Sequence, residues 1–99
     1  MNQYEIRNLE GAPADRLLVV ILSPVEMNLT LENVIVAPLT RESHGYPTRP
    51  WVRVHGEDWW VVLDQMTTIS KNRVLKKQAK LDEAGVRQVK SIILEMLVS

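Results

Sequence analysis

Side chains capable of acid–base and hydrogen-bond chemistry follow the apolar run Val34–Leu39. Residues Thr40–Gly45 read Thr-Arg-Glu-Ser-His-Gly, so two hydroxyls, a guanidinium, a carboxylate and an imidazole occur close together. A polar loop that leaves the end of a rigid strand is a common position for functional residues. For Thr40 two interpretations stand side by side: a hydroxyl that satisfies backbone groups at a strand end, or one that contacts a reacting phosphate oxygen.

Arg16 is the second candidate, because it begins the otherwise apolar run Leu17–Leu22. An arginine in this position either forms an ion pair at the rim of the fold, with an acid such as Asp15 or Glu32, or faces a cleft. In a cleft its planar donor fork suits bidentate binding of a phosphate. A serine or threonine nucleophile paired with a histidine is also open, although no motif marks one.

The elements that must position these residues are predicted mainly as strands. Short apolar runs rich in β-branched residues predict buried strands at Arg16–Leu22 and Val34–Leu39. Pro38 lacks a backbone donor, so we expect the second strand to end there or to lie at an edge. Before and between these strands we expect a first strand within Gln3–Leu9 and a helical turn within Glu26–Glu32. A loop at Arg41–Pro50 then leads to a predicted hairpin, with strands at Trp51–His55 and Trp59–Asp64 around a turn at His55–Asp58. The hairpin is expected to extend through Gln65–Ile69, and Lys71–Lys80 to hold a helical turn or a short strand.

The chain is predicted to end in an amphipathic helix that begins after Asp82. Asp82 is a suitable N-cap, and Leu81 with Val86 suits the hydrophobic staple. The predicted apolar face comprises Val86, Val89, Ile93, Met96 and Leu97. Several short strands followed by one helix predict a mainly β (α+β) fold, a small antiparallel barrel or curled sheet closed by its C-terminal helix.

Composition limits the classes of function. The 99 residues suit a single domain, 1–99, with no net charge, because 12 basic side chains balance 12 acidic ones. The balance is uneven along the chain: 5 bases oppose 9 acids up to Ser70, and 7 bases oppose 3 acids from Lys71 onward. The absence of cysteine excludes disulfides and thiolate chemistry. With no signal peptide or membrane-length apolar run, we expect a cytoplasmic protein.

Cofactor and metal sites have little support in the sequence. His44 and His55 are the only histidines, and neither has a partner at metal-ligand spacing. The glycines are scattered, so no glycine-rich phosphate loop is present. We therefore expect neither a metal nor a cofactor.

Two further features admit alternatives. Asp64 follows an apolar strand, and capping of local backbone donors is the favoured interpretation. Trp59 and Trp60 alternate, so we expect one in the core and one exposed. An exposed tryptophan either stacks on a base or anchors a protein partner, and the second is favoured.

Together these segments resemble the MazF/PemK endoribonucleases, toxins of type II toxin–antitoxin modules. The resemblance rests on Arg16 before Leu17–Leu22, on Val34–Thr40, and on Asp64–Ile69 with the basic run that follows to Leu81. It implies a small SH3-like antiparallel barrel with appended helices, the CcdB/PemK toxin fold, and a homodimer. It also implies a cognate antitoxin with a disordered acidic tail, which we expect to bind the Lys71–Lys80 segment and tryptophan-lined grooves.

The activity implied by the resemblance is metal-independent cleavage of single-stranded, messenger RNA by 2′-hydroxyl attack. Arg16 and Thr40 match the family's catalytic arginine and its threonine or serine. Arg16 is expected to stabilise the phosphorane charge and Thr40 to hold an oxygen. The expected RNA contacts are Arg41, Ser43, His44, Asp64 and Gln65.

The sequence also departs from the family pattern. Met1–Leu9 lacks the usual opening Gly-Asp motif, Leu17 replaces a proline, and Val62 stands where some members carry an arginine. The sister family of CcdB gyrase poisons is an alternative, since Arg16–Val19 and His55–Trp60 resemble it, but the chain lacks the terminal Trp-Gly-Ile of that family. A toxin-fold binding module with degenerate chemistry is a third possibility.

Overall fold

The structure is a computed structural model that describes residues 1–11 and 17–98. Its strands are β1 (Glu5–Leu9), β2 (Leu18–Ile21), β3 (Asn33–Thr40), β4 (Trp51–Val54), β5 (Glu57–Val61), β6 (Thr67–Ser70) and β7 (Val74–Lys80). The helices are α1 (Val25–Thr30) and α2 (Glu83–Leu97), with short 3-10 helices at Leu63–Gln65 and Lys71–Arg73. The predicted strands and helices are therefore present, and Lys71–Lys80 holds both a helical turn and a strand. The expected extent of the second hairpin strand, Trp59–Asp64, is wrong, because β5 ends at Val61 and Asp64 lies in a 3-10 helix.

The strands form one curled antiparallel sheet in the order β4-β5-β3-β2-β1-β7. Strand β6 lies off this path and pairs with the first half of β3, from Asn33 opposite Ser70 to Val36 opposite Thr67. The short 3-10 helix Lys71–Arg73 joins β6 directly to β7, which pairs with β1. The chain thus curls β6, β3, β2, β1 and β7 into a half-barrel, and the predicted mainly β fold with a C-terminal helix is confirmed.

Strand β3 changes partners along its length. Val36–Pro38 pairs with β2, whereas Leu39 and Thr40 pair with Val61 and Trp60 of β5. The expectation that the strand ends at Pro38 or lies at an edge is wrong, because β3 continues to Thr40 and lies between β2 and β5. The Pro38 carbonyl accepts the Val62 N–H at 2.8 Å, so proline still pairs through the backbone group that it retains.

Alternate residues of β3 face two hydrophobic clusters on opposite sides of the sheet. The larger cluster lies between the sheet and α2, and its buried members include Ile6, Val20, Ala37, Leu39, Val61, Leu63 and Val89. The smaller cluster is enclosed by the curled strands and consists of Val19, Ile21, Val34, Val36 and Val74. Because both faces are covered, β2 is a continuous apolar run with every residue buried.

Helix α2 begins as predicted, since Asp82 Oδ1 accepts the Gly85 N–H at 2.7 Å. Val86, Val89, Ile93 and Met96 pack against the larger cluster together with Ile92. The assignment of Leu97 to this face is wrong, because Leu97 is 64% exposed. Met96, in the same last turn, still packs against the cluster, so the buried face of the helix ends at Met96.

The hairpin β4–β5 has a tighter turn than predicted. The two strands pair from Trp51 opposite Trp60 to Val54 opposite Glu57, so the loop contains only His55 and Gly56. Both loop residues have positive φ, 52° and 79°, as a type I′ turn requires. Glu57 and Asp58, predicted as turn residues, belong to β5 instead.

Strand β1 carries a buried carboxylate. Glu5 Oε1 accepts hydrogen bonds from the Asn2 N–H at 3.1 Å and from Arg7 Nε at 2.9 Å, and Lys77 Nζ lies 3.5 Å from Oε2. Burial raises the pKa of Glu5, but these hydrogen bonds and charges outweigh it, so the pKa is lower than usual. The charged form thus fastens β7 to β1.

In the described residues, no helix is long and apolar enough to cross a membrane.

Candidate functional site

Thr40 is the last residue of β3 and is half-buried. Its hydroxyl oxygen accepts the Glu42 N–H at 3.2 Å, which fixes the side chain at the point where the strand becomes a loop. Within the described part of the chain, the Thr40 hydroxyl hydrogen is not donated to any acceptor. The hydroxyl is thus oriented and able to donate to a ligand.

Arg16 falls outside the described residues, as does Asp15, one of its suggested ion-pair partners. Leu17, the next described residue, accepts the Leu9 N–H at 3.0 Å through its carbonyl oxygen. Strands β2 and β3 place Val19 opposite Pro38. Continuing this antiparallel register by two residues brings Leu17 opposite Thr40. The residue that follows Arg16 therefore belongs at the same end of the sheet as Thr40.

The loop after Thr40 presents the three polar residues expected to contact RNA. Arg41 forms an ion pair with Glu57 and lies 5.2 Å above the Trp59 ring. Ser43 is exposed. His44 stacks on Tyr46, with ring centroids 5.5 Å apart. All three residues are exposed on the loop.

Asp64 does not mainly cap backbone groups, so that interpretation is wrong. Its carboxylate accepts two parallel hydrogen bonds from Arg49, each 3.1 Å long, and a third from the Thr48 hydroxyl at 2.9 Å. The Arg49 hydrogen bond is the main reason why the pKa of Asp64 is lowered, with partial burial opposing it. The same bond raises the pKa of Arg49.

Thr48, Arg49 and Tyr46 also belong to the site, although no sequence pattern predicted them. The Arg49 guanidinium lies 4.7 Å above the Tyr46 ring and simultaneously grips Asp64. No periodicity marks these contacts, because the loop is irregular and Asp64 lies 15 residues further along the chain. The run Tyr46-Pro47-Thr48-Arg49 within a long loop is the only sequence signal for them.

The expected site residues separate into two groups. Thr40 pairs with Trp60 near the C-terminal end of β5, and Asp64 and the exposed Gln65 follow that same end of the strand, in the 3-10 helix Leu63–Gln65. In the described residues, no hydrogen bond connects Thr40 with Asp64. The loop that follows Thr40 connects the two groups, because Arg41 anchors its start and Arg49 anchors its end.

The expectation for the tryptophans was partly wrong. Trp59 and Trp60 are both half-buried, and Trp51 is the exposed one, at 52%. Trp59 packs against the larger cluster.

Across residues 1–11 and 17–98, no group of three or more histidine, aspartate or glutamate side chains is arranged to hold a metal ion.

Comparison with solved structures identifies the fold. The Mycobacterium tuberculosis toxin MazF-mt6 superposes with a TM-score of 0.81 at 22% identity, covering 92% of this chain and 93% of that one. MazF in a MazE–MazF complex from Deinococcus radiodurans gives a TM-score of 0.86 at 19% identity, covering 100% and 97%. An endoribonuclease in complex with its cognate antitoxin, from a mycobacterial species, gives 0.86 at 16% identity, covering 98% and 94%.

Comparison with protein families gives a more specific assignment than the fold does. No curated protein sequence matches this chain significantly. The family model of the PemK-like, MazF-like toxins of type II toxin–antitoxin systems matches residues 7–97, nearly the whole chain. The match extends across Thr40, the loop after it and the Arg49–Asp64 pair. The chain therefore belongs to the PemK-like, MazF-like toxin family of type II toxin–antitoxin systems.

Proposed function

We propose that this toxin is a metal-independent, sequence-selective endoribonuclease that cleaves single-stranded messenger RNA. The observation that carries the proposal is the position of Thr40 at the end of β3, at the end of the sheet where the chain enters β2 after Arg16. Arg16 directly precedes Leu17 in the sequence, and a hydroxyl and a guanidinium together suit the binding of a phosphate. Membership of the toxin family supports the same activity.

The proposed chemistry is an in-line displacement at phosphorus. The ribose 2′-oxygen forms a bond to phosphorus while the bond to the 5′-oxygen breaks, giving a 2′,3′-cyclic phosphate and a 5′-hydroxyl. The proton lost by the 2′-hydroxyl passes to solvent, and the leaving oxygen gains one from solvent. Arg16 stabilises the negative charge that develops on the phosphorane, and the Thr40 hydroxyl donates to a non-bridging oxygen. The need for a 2′-hydroxyl selects RNA over DNA.

In this proposal the loop after Thr40 recognises the RNA. Arg41, Ser43 and His44 are exposed on the loop, and Gln65 is exposed beside its anchored end. Asp64 contributes by holding that end through Arg49 and Thr48. Two anchors on a polar loop allow it to bind RNA with little additional loss of conformational freedom.

We further propose that the toxin is a homodimer with a cognate antitoxin as its partner. The antitoxin's acidic, disordered tail would bind the segment Lys71–Lys80, where Lys76, Lys77 and Lys80 are exposed. An acidic tail is attracted to this basic segment by opposite charge, and a disordered tail can fold as it binds. Solved structures of toxin–antitoxin complexes with the same fold support this partner class.

The test is incubation of the purified protein with a long single-stranded RNA in EDTA, alongside Arg16→Ala and Thr40→Val variants. We expect discrete fragments that end in 2′,3′-cyclic phosphate from the wild type and intact RNA from both variants. Arg16→Lys is the matched control, since it keeps the charge but loses the bidentate fork. Intact RNA with the folded wild type would refute the proposal, and a gyrase supercoiling assay would then test the CcdB-like alternative. The comparisons give that alternative no support.

A further inference from the structure

The outer face of the hairpin β4–β5 carries an unusual combination of side chains. Along both strands, the inward positions are apolar apart from Glu57 beside the turn, and the outward ones are aromatic or charged. The inward residues are Val52, Val54, Trp59 and Val61, and the outward residues are Trp51, Arg53, Asp58 and Trp60. Two tryptophans give this outward face an apolar surface, and such surfaces on soluble proteins mark binding sites.

The strand register aligns these tryptophans with Thr40. Trp60 lies directly opposite Trp51 on one side and opposite Thr40 on the other. Residues directly opposed in an antiparallel sheet share a face, with Cβ atoms about 5 Å apart. Trp51, Trp60 and Thr40 therefore form a row on one face, and Trp51 lies roughly 10 Å from Thr40 at two strand spacings of about 4.8 Å.

Trp51 is held in place although it is exposed. Its indole Nε1–H donates to Asp58 Oδ1 at 3.0 Å, and 52% of the residue is accessible. Arg53 Nε lies 3.5 Å from the same carboxylate oxygen and offsets its charge. A fixed, exposed aromatic ring is suited to stacking, because little side-chain entropy is lost when a ligand binds.

A cleft of about 320 Å³ adjoins Trp51, between the edge strand β4 and the first turns of α2. Its polar lining includes Arg53, Lys80 and Gln88. Asp82 is also present, with its Oδ1 accepting the Gly85 N–H, and Arg53 is paired with Asp58. Lys80 is exposed and forms no ion pair with the described residues, so it is the cation that can meet a phosphate of a strand passing over Trp51.

We propose that Trp51, supported by Trp60, is a stacking platform for a base close to the scissile phosphate and sets the sequence preference at that nucleotide. This proposal rests on the ribonuclease activity proposed above. RNA is favoured over a protein partner, because the row leads to Thr40 and the adjoining cleft carries Arg53 and Lys80. Stacking of bases on aromatic rings beside a basic groove is how many proteins hold single strands.

The experiment maps cleavage sites and kcat/KM on a long single-stranded RNA for the wild type, Trp51→Phe and Trp51→Leu. We expect Trp51→Leu to lower kcat/KM by roughly 5- to 150-fold and to relax the preference at one position near the cut. Trp51→Phe retains a ring and is expected to keep the preference. Leu29→Ala, at a residue 73% exposed on α1, is the surface control and should match the wild type. Thermal unfolding verifies that each variant is folded.

The outcomes separate this proposal from the activity on which it rests. Unchanged sites and rates in a folded Trp51→Leu protein would overturn the stacking role and leave the ribonuclease intact. Unchanged cleavage with loss of neutralisation by the antitoxin would also overturn it, in favour of a protein contact. If the wild type leaves all RNA intact, the proposed ribonuclease activity is refuted. Fluorescence titration with the same RNA then tests whether Trp51 stacks on a base. Weaker binding by Trp51→Leu would then support it, and equal binding would refute it.

Discussion

Arg49 grips Asp64 with two parallel hydrogen bonds, from Nε to Oδ1 and from Nη2 to Oδ2, each 3.1 Å long. This pair connects the end of the loop that begins at Thr40 to the 3-10 helix that follows β5. The Arg49 side chain is only 15% exposed, and its other neighbour is the Tyr46 ring. The pair therefore anchors the end of the loop to the 3-10 helix Leu63–Gln65.

Breaking this pair is expected to impair RNA cleavage more than folding. Asp64→Asn keeps the size of the side chain but removes its charge, so the loop loses its anchor. We expect kcat/KM to fall on the order of tenfold, since small displacements of binding groups reduce rates strongly. Because the pair is partly exposed, the melting temperature should change little. Arg49→Lys should reproduce the defect, and a variant with normal kinetics would rule out a positioning role.

Thr40 is expected to act through its hydroxyl. Thr40→Val retains the shape of the side chain but cannot donate to a phosphate oxygen. We expect a loss of about 100- to 1,000-fold in kcat, as for removal of one donor from an oxyanion site. Thr40→Ser restores the hydroxyl and should recover most of the activity. Full activity of Thr40→Val in single-turnover assays would exclude Thr40 from the chemistry.

Glu5 makes stability depend on pH in the acidic range. Its pKa is lower in the folded protein than in an unfolded chain. The stabilisation is therefore complete at pH values above the ordinary carboxyl pKa of about 4, and is lost as the pH falls through the lowered value. Urea unfolding at several pH values should show this loss in the wild type. Glu5→Gln should be less stable at neutral pH and lose less on acidification, and an identical pH profile would contradict the assignment.

The turn of the hairpin offers a stabilising substitution. His55 has φ of 52°, and Gly56 has φ of 79°. Asparagine tolerates the left-handed region better than histidine, and Asn-Gly is the preferred type I′ pair. We expect His55→Asn to raise the free energy of unfolding by a few tenths of a kcal/mol. Gly56→Ala should lower it by about 1–2 kcal/mol, because a Cβ is strained at positive φ even though the site is open.

The amino-acid sequence by itself determined the local elements and the family. Short β-branched runs such as Val34–Leu39, which must be buried on both sides, specify strands, and the N-cap Asp82 specifies where α2 begins. These signals are local in the chain, so the periodicity of apolar residues and the helix-capping residues are enough to recognise them. The order of strands and helices was also sufficient to indicate a curled sheet with a C-terminal helix.

The tertiary structure decided what the sequence left open between distant residues. It gave Asp64 an ion-pair partner where capping was expected, extended β3 past Pro38, and left Leu97 exposed. Each outcome depends on which segments meet after the sheet curls, and no local pattern encodes that meeting. The alignment of Trp51, Trp60 and Thr40 has the same origin. A strand pattern gives the face of each residue, but only the register between strands decides which residues on that face become neighbours.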